Sequence, residues 1–249
     1  MPDLVDLTVL REEPSDDPVA DLARGIDLLQ EVKAGERGAT LRIYRPSPTL
    51  AFGQRDVRLP GFELARSAAK RHGFEPVVRK AGGRAAAYHR GTMIIDHLEP
   101  AAEAMLGHTG RFQEFGTLFA NALRSVGVDA QVGELPGEYC AGEYSVYGTS
   151  QPGSPLQALS QYDGAASVKL VGTAQRVVTG AWLFTSVLVV ENSAPLRAVL
   201  DEVYQAMEIP MDPRTVGAVE DLVPGVSVDS MTDALLNTYR GSGEWNLDT

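Results

Sequence analysis

The chain carries one cysteine, Cys140, in 249 residues, so no disulfide can form within it. No uninterrupted apolar run approaches the ~20 residues that a membrane-spanning helix requires. The opening Met1-Pro2-Asp3-Leu4 lacks the basic start and apolar stretch of a secretory leader, and the expected location is the cytoplasm. Positive charge is scarce as well. With 22 Lys and Arg against 33 Asp and Glu, the formal net charge is −11, which argues against general affinity for nucleic acid or for an anionic membrane surface. The four histidines and single cysteine show no zinc-ligand spacing, so no metal is expected, and there is neither a Walker phosphate loop nor a Rossmann glycine fingerprint. What remains is ordinary for a globular enzyme: 44% hydrophobic and 22% charged residues, at a length that fits one domain spanning 1–249.

Periodicity predicts helices interspersed with antiparallel-looking strand pairs, an α+β or mixed α/β arrangement built on one sheet. Strands are expected at Leu4 to Leu10, Thr40 to Arg45, Thr49 to Gly53, Gly91 to Leu98, Gly142 to Tyr147, Val168 to Val178 and Ala181 to Val190, with Thr179-Gly180 as a hairpin turn. Helices are expected at Asp21 to Val32, capped by Asp16 or Asp17, and at Phe62 to His72, stopped by Gly73. Three more are expected at Phe112 to Val126, Ala194 to Met207 and Met231 to Tyr239, so that 191–249 reads as a helical C-terminal extension. The Ser-, Gln-, Gly- and Pro-rich stretch 149–167 reads as an exposed loop insertion.

Three segments carry candidate chemistry. The run Val77 to His89 is a strand, a basic turn and a small-residue strand ending in an imidazole. Its Gly82-Gly83 pair, flanked by Arg79, Lys80 and Arg84, lets backbone approach a ligand closely where cationic side chains meet a carboxylate or phosphate. The strand Lys169-Leu170-Val171-Gly172-Thr173-Ala174-Gln175 alternates with period two. That periodicity puts Lys169, Val171, Thr173 and Gln175 on one face and Leu170, Gly172, Ala174 and Arg176 on the other. A lysine within a largely apolar strand pair must meet a partner or reach solvent. Cys140 lies between Pro136-Gly137 and Ala141-Gly142, just ahead of an expected strand. It is a small filler or, beside a cation, a nucleophile.

Together these segments resemble the lipoate–protein ligase and octanoyltransferase superfamily, which shares its catalytic fold with biotin–protein ligases. Arg79-Lys80-Ala81-Gly82-Gly83-Arg84-Ala85-Ala86-Ala87-Tyr88-His89 is similar to the family's Arg-Arg-x-x-Gly-Gly-x-Ala-x-x-His motif, and Lys169 to Gln175 to its Lys-hydrophobic-x-Gly-Ser/Thr-Ala-Gln motif. The likeness covers about 21–190. It departs at Arg90, where an aspartate is usual, and at Met93-Ile94-Ile95-Asp96, where asparagine and serine are expected. The Tyr139-Cys140-Ala141-Gly142 context resembles the cysteine-dependent amidotransferase branch, without its proline after the cysteine.

The resemblance implies a biotin/lipoate protein ligase-like α+β (mixed α/β) domain with a central, mostly antiparallel sheet flanked by helices. It implies octanoyl or lipoyl transfer to the lysine of a lipoyl carrier domain (glycine cleavage H protein or a 2-oxoacid dehydrogenase E2 subunit), with Cys140 and Lys169 catalytic. Arg79, Gly82, Gly83, Arg84, His89, Gly172, Thr173 and Ala174 would then bind substrate, with Lys169 stabilising thiolate and oxyanion and His89 shuttling a proton. No cofactor is needed on that reading. An ATP- and Mg-dependent ligase working through a lipoyl-adenylate, and a non-catalytic binder of a lipoyl-like or biotin-like ligand, stay open at this level.

Overall fold

The computed structural model describes residues 4–13, 16–151 and 166–248. Helix α1 (Pro18–Lys33) starts where the Asp17 carboxylate accepts from the Val19 and Ala20 amides, with Pro18 needing no partner for a missing N–H. The other helices are α2 (Phe62–Arg71), α3 (His108–Ser125), α4 (Ser193–Ala206), α5 (Val219–Leu222) and α6 (Val228–Gly241). Helix α6 begins earlier than the periodicity indicated because Ser227 and Ser230 form a reciprocal cap. No helix among the described residues is long and apolar enough to cross a membrane.

The main sheet has eight strands in the order β11-β1-β2-β6-β10-β9-β8-β7: β11 (Trp245–Asp248), β1 (Val5–Glu12), β2 (Thr40–Tyr44), β6 (Thr92–Ala101), β10 (Gly180–Val189), β9 (Ser167–Val178), β8 (Val146–Thr149) and β7 (Asp129–Val132). The β11–β1 and β1–β2 pairs are parallel and the rest antiparallel. Long strands β6 and β10 pair along their whole length, from Thr92 opposite Val189 to Ala101 opposite Gly180. Gly180, at φ +90, makes the expected hairpin turn into β10.

Alternation on these strands feeds two faces. Met93 and Ile95 join Phe115, Phe119, Leu235 and Tyr239 under α3 and α6. Leu98, Ala181 and Leu183 meet Leu28, Leu29 and Val32 of α1 on the opposite face. Beside α1, that face is also covered by a three-stranded sheet, β4 (Glu75–Val78), β3 (Thr49–Phe52) and β5 (Ala86–Tyr88), backed by α2 and α4.

Three expectations change, and one strand pairing goes beyond what the sequence indicated. The strands on either side of the Gly-Gly turn, β4 and β5, do not pair with each other. Strand β3 lies between them, parallel to β4 and antiparallel to β5, so the turn loops across the end of β3. The strand expected over Gly142 to Tyr147 begins only at Val146, because the Glu138 carboxylate captures the Gly142 amide and the Ser145 hydroxyl and bends the chain first. Segment 191–249 is not purely helical, since β11 closes one sheet edge. The loop expected over 149–167 has Thr149 and Ser167 as strand residues with hydroxyls 3.0 Å apart, and 152–165 lie outside the described residues.

One pH effect follows from packing at that edge. Burial, followed by a hydrogen bond and repulsion from Glu244, pushes the Glu114 carboxyl on α3 from its ordinary 4.5 up to about 8. The folded chain thus retains a proton that the unfolded chain releases above pH 4.5. This contribution to stability is complete below that pH and is lost as pH rises through about 8. Tm is expected to decline across that window, and Glu114→Gln to flatten its share of the slope in thermal melts at stepped pH.

Candidate active site

Between α1, the Gly-Gly turn and the face of β9, β10 and β6 lies a cavity of about 440 Å³. Apolar side chains including Leu22, Ile26, Ile94, Leu183 and Val187 line much of it, and Cys140 and Lys169 sit together at one part of its wall. Lys169 reaches this face through a bulge. Tyr147 opposes Lys169 while the neighbouring Val146 opposes Val171, so β9 carries an extra residue at Leu170. Leu170 and Val171 therefore both enter the core under α3, and Lys169 joins the face of Gly172, where a Cβ would lie 3.5 Å from its Cε. Strict period two had put Lys169 and Gly172 on opposite faces, and the bulge reverses this.

The Lys169 side chain is 1% exposed and its ammonium is fully engaged: 3.0 Å to the Tyr139 carbonyl, 2.9 Å to the Cys140 carbonyl and 3.2 Å to Glu138 Oε2. Glu138, 0% exposed at its side chain, is the counter-ion that a buried lysine demands. The ammonium thus donates two hydrogen bonds to main-chain carbonyls of the cysteine loop and pairs with the Glu138 carboxylate by charge. Lys169 thereby holds that loop in place through main-chain carbonyls and a carboxylate rather than through sulfur.

Cys140 itself adopts φ +45, a left-handed conformation costly for a side chain bearing Cβ. Its amide donates to Tyr204 Oη at 2.7 Å, and that phenol donates to the Ala85 carbonyl at 2.9 Å. The half-buried Sγ receives the Arg84 amide at 3.1 Å and Arg79 Nη2 at 3.8 Å, both donors suited to sulfur carrying negative charge. Arg79 is fixed by the Tyr88 hydroxyl at 2.9 Å and the Arg84 carbonyl at 2.8 Å. Burial by itself would lower its pKa. Attraction to Tyr88 and Cys140 outweighs that and raises it. Burial also keeps the Tyr88, Tyr139 and Tyr204 phenols above their ordinary range, so they serve as neutral hydroxyls.

Gly83 must be glycine. It sits at φ +102, and a Cβ there would come within 2.6 Å of Arg79 Nη2 and 2.8 Å of Cys140 Sγ. Its carbonyl leaves no room at Gly53 either, where a Cβ would lie 1.9 Å away. Gly83, Gly172, Thr173 and Ala174 all line the cavity, whereas Gly82 has open space about it and does not. Arg84 contributes its backbone amide. Its guanidinium turns aside to buried Asp56 at 3.0 Å, which also accepts the Gly53 amide.

His89 is outside the cavity lining: its Nδ1 accepts the Gly91 amide and its Nε2 faces the Asn192 carbonyl at 2.8 Å. With both nitrogens bound to backbone, the imidazole pins β5 to the start of α4 and has no nitrogen free for the proton shuttle expected of it. Among the described residues no cluster of metal-ligating side chains occurs.

The two partners that sequence reasoning missed are Glu138 and Tyr204. The first had a signal, since a buried ammonium needs a carboxylate and Glu138 stands two residues from the cysteine. Tyr204 had none, because it arrives on α4 from 64 residues away. Tyr204→Phe removes the acceptor of the Cys140 amide and a donor to Ala85. It is expected to cost about 1–3 kcal/mol in denaturant unfolding and to alter the rate of Cys140 alkylation by iodoacetamide.

A model of the lipoyl protein ligase A/B catalytic domain matches residues 17–240. An octanoyl-GcvH:protein N-octanoyltransferase of Geobacillus kaustophilus is 26% identical over 88% of this chain and 79% of that protein. A lipoyl-GcvH:protein N-lipoyltransferase of Listeria monocytogenes is 24% identical over 59% of this chain and 52% of that protein. Among solved structures, a lipoate-protein ligase A bound with ATP superposes with a TM-score of 0.69 at 19% identity, covering 99% of this chain and 90% of that one. A putative lipoate protein ligase of T. acidophilum with bound lipoic acid does so with 0.69 at 19%, covering 98% and 88%. At such identities the structural likeness shows the fold alone.

Proposed function

As the chain belongs to the lipoyl protein ligase A/B catalytic-domain family, we propose that it moves an octanoyl or lipoyl group between carrier proteins through a thioester on Cys140. The observation that carries this reading is the placement of Sγ. It lies at the wall of a largely apolar cavity with the Arg84 amide and Arg79 guanidinium directed at it. The Geobacillus relative is named for taking octanoyl from GcvH, and a glycine cleavage H protein is accordingly the proposed donor here. The acceptor is the lysine of a second lipoyl carrier, such as an E2 subunit.

In the first half-reaction the Cys140 thiolate attacks the carbonyl of the acyl-lysine amide. The C–N bond breaks, and the donor lysine leaves as an amine after taking a proton. In the second, the acceptor lysine, as a free amine, attacks the thioester carbonyl, the C–S bond breaks, and the thiolate is regenerated as the ammonium proton is shed. The Arg84 amide and Arg79 are the donors placed to stabilise charge on sulfur and on the adjoining acyl oxygen. Lys169, hydrogen-bonded to two carbonyls of the cysteine loop and ion-paired with Glu138, acts as a positioning residue that fixes that loop. The acyl chain lies against Gly172, Ala174 and the apolar wall.

Because the acyl group arrives already bonded to a carrier, no adenylate is required, and ATP with Mg belongs to the ligase alternative. Intact-mass measurement after mixing with octanoylated carrier, without nucleotide, tests the choice. A mass increase of one octanoyl group on Cys140 supports transfer. Lipoate- or octanoate-dependent ATP–pyrophosphate exchange with no acyl-enzyme overturns it in favour of the ligase. Ligand binding with neither reaction leaves a non-catalytic binder.

A further inference from the structure

Positive charge on this acidic chain is unevenly used. Arg24, Arg37, Arg66, Arg71 and Arg90 each hold a carboxylate. Arg55, Arg58, Lys80 and Arg176 are exposed, and none of them has an ion-pair partner among the described residues. Folding gathers these four. Gln54 Nε2 donates to the Arg79 carbonyl, and Asp56 in the turn between Arg55 and Arg58 pairs with Arg84. Arg176, on β9, donates to the Lys80 carbonyl at 3.0 Å. Two segments distant in sequence thus converge on the Gly-Gly turn, whose Arg84 amide contacts Cys140.

An apolar lip adjoins this rim. Met105 and Leu106 are 67% and 65% exposed, immediately before His108 and Thr109 of the cavity lining. Arg111 ties the Leu106 carbonyl to Gln175, the neighbour of Arg176. Glu143 is an exposed carboxylate lining the same cavity, so the cavity mouth is not cationic all round.

From this arrangement we infer that the four cations dock the acyl carrier through carboxylates flanking its modified lysine, while Met105 and Leu106 cover an apolar patch beside them. The inference rests on the acyl-transfer reading of the same site. A carrier must bring one lysine side chain to Cys140, so the surface around that lysine abuts the cavity mouth. With a net charge of −11, most of the molecule repels an acidic partner, and uncompensated cations at the mouth give an oriented attraction. The same charge balance gives a polyanion such as nucleic acid no extended track to follow.

Arg55→Glu/Arg58→Glu tests this, since both side chains are exposed and neither lines the cavity. Acylation of Cys140 is followed by intact mass from two donors: the small uncharged octanoyl thioester of N-acetylcysteamine, and an octanoylated H-protein carrier over a range of NaCl. The double variant is expected to react normally with the thioester. Its KM for the carrier should rise about tenfold or more, and its salt dependence should flatten. A carrier whose lysine-flanking carboxylates are changed to lysine should restore the reaction with the double variant. An unchanged carrier KM and salt slope overturns the docking assignment. Wild-type acylation by the thioester but by no carrier at low salt overturns it too. If neither donor acylates wild-type Cys140, the acyl-transfer reading itself fails, and the docking role with it.

Discussion

Cys140→Ala is expected to abolish the acyl-enzyme mass peak and to lower carrier-to-carrier transfer by on the order of 10⁴-fold or more, the scale seen when a covalent nucleophile is removed. Alanine keeps a Cβ at the same φ of +45, so it neither relieves nor adds backbone strain. The amide bond to Tyr204 and the carbonyl bonds to Lys169 involve main-chain atoms that persist in the variant. The Arg84 amide and Arg79 guanidinium lose their sulfur acceptor, so a loss of stability of no more than about 1–3 kcal/mol is expected while the fold persists. Loss of activity in a chain that still melts cooperatively is the signature of removed chemistry. Retained transfer in Cys140→Ala would show that the acyl group never rests on this residue. Cys140→Ser is a weaker control, because a hydroxyl is a poorer nucleophile and leaving group in exchange with an amine.

The second large effect is expected at Lys169, where stability should respond as strongly as activity. Lys169→Met leaves Glu138 buried with no cation, and breaking a buried pair from one side costs about 3–5 kcal/mol. Denaturant unfolding should show that loss. The double variant Glu138→Gln/Lys169→Met removes both charges and should recover a large part of it, giving a coupling energy well above zero in a double-mutant cycle. Recovery in stability without recovery in rate is the decisive pattern. The methionine cannot donate to the Tyr139 and Cys140 carbonyls, so the loop that aims Sγ is loosened, and a displacement near 1 Å can cost about 100-fold. Acyl-enzyme formation should stay slow in the double variant even though it folds. If its rate instead returns with its stability, Lys169 has no positioning role beyond neutralising Glu138.

Much of the fold could be read along the chain. The alternation in Thr40 to Arg45 and the apolar, β-branched and aromatic run Ala181 to Val190 marked strands at the sheet centre, which are largely buried on both faces. The Asp17 cap, the Gly180 turn and the core face of α3 were equally plain, since each depends on residues a few positions apart. The missed elements, β7, β11 and α5, are four residues each, too short for periodicity to show. The Cys140 region was misread for another reason. Val146 was expected to extend a strand back to Gly142, and nothing local revealed that the Glu138 carboxylate would claim the amide and hydroxyl in between.

The site divides along the same line. Gly83, Gly172, Thr173, Ala174, Cys140 and Lys169 were singled out through the motifs that carry the family resemblance, and all six line the cavity. Arg84 was chosen for its charge, yet its amide is what reaches the sulfur. His89 was chosen for its imidazole, yet both ring nitrogens bind backbone.

The sequence by itself determined which chemical groups were available: one thiol, one lysine in an apolar strand, and a glycine pair among cations. It also determined which strands would be buried, because propensity, capping and alternation act between near neighbours. Only the tertiary structure decided what those groups face. The bulge at Leu170 moved Lys169 to the cavity side, β3 came between β4 and β5, and Tyr204 crossed from α4 to hold the cysteine amide. A buried donor or charge must find a partner somewhere, and the chain does not write that partner's address beside it.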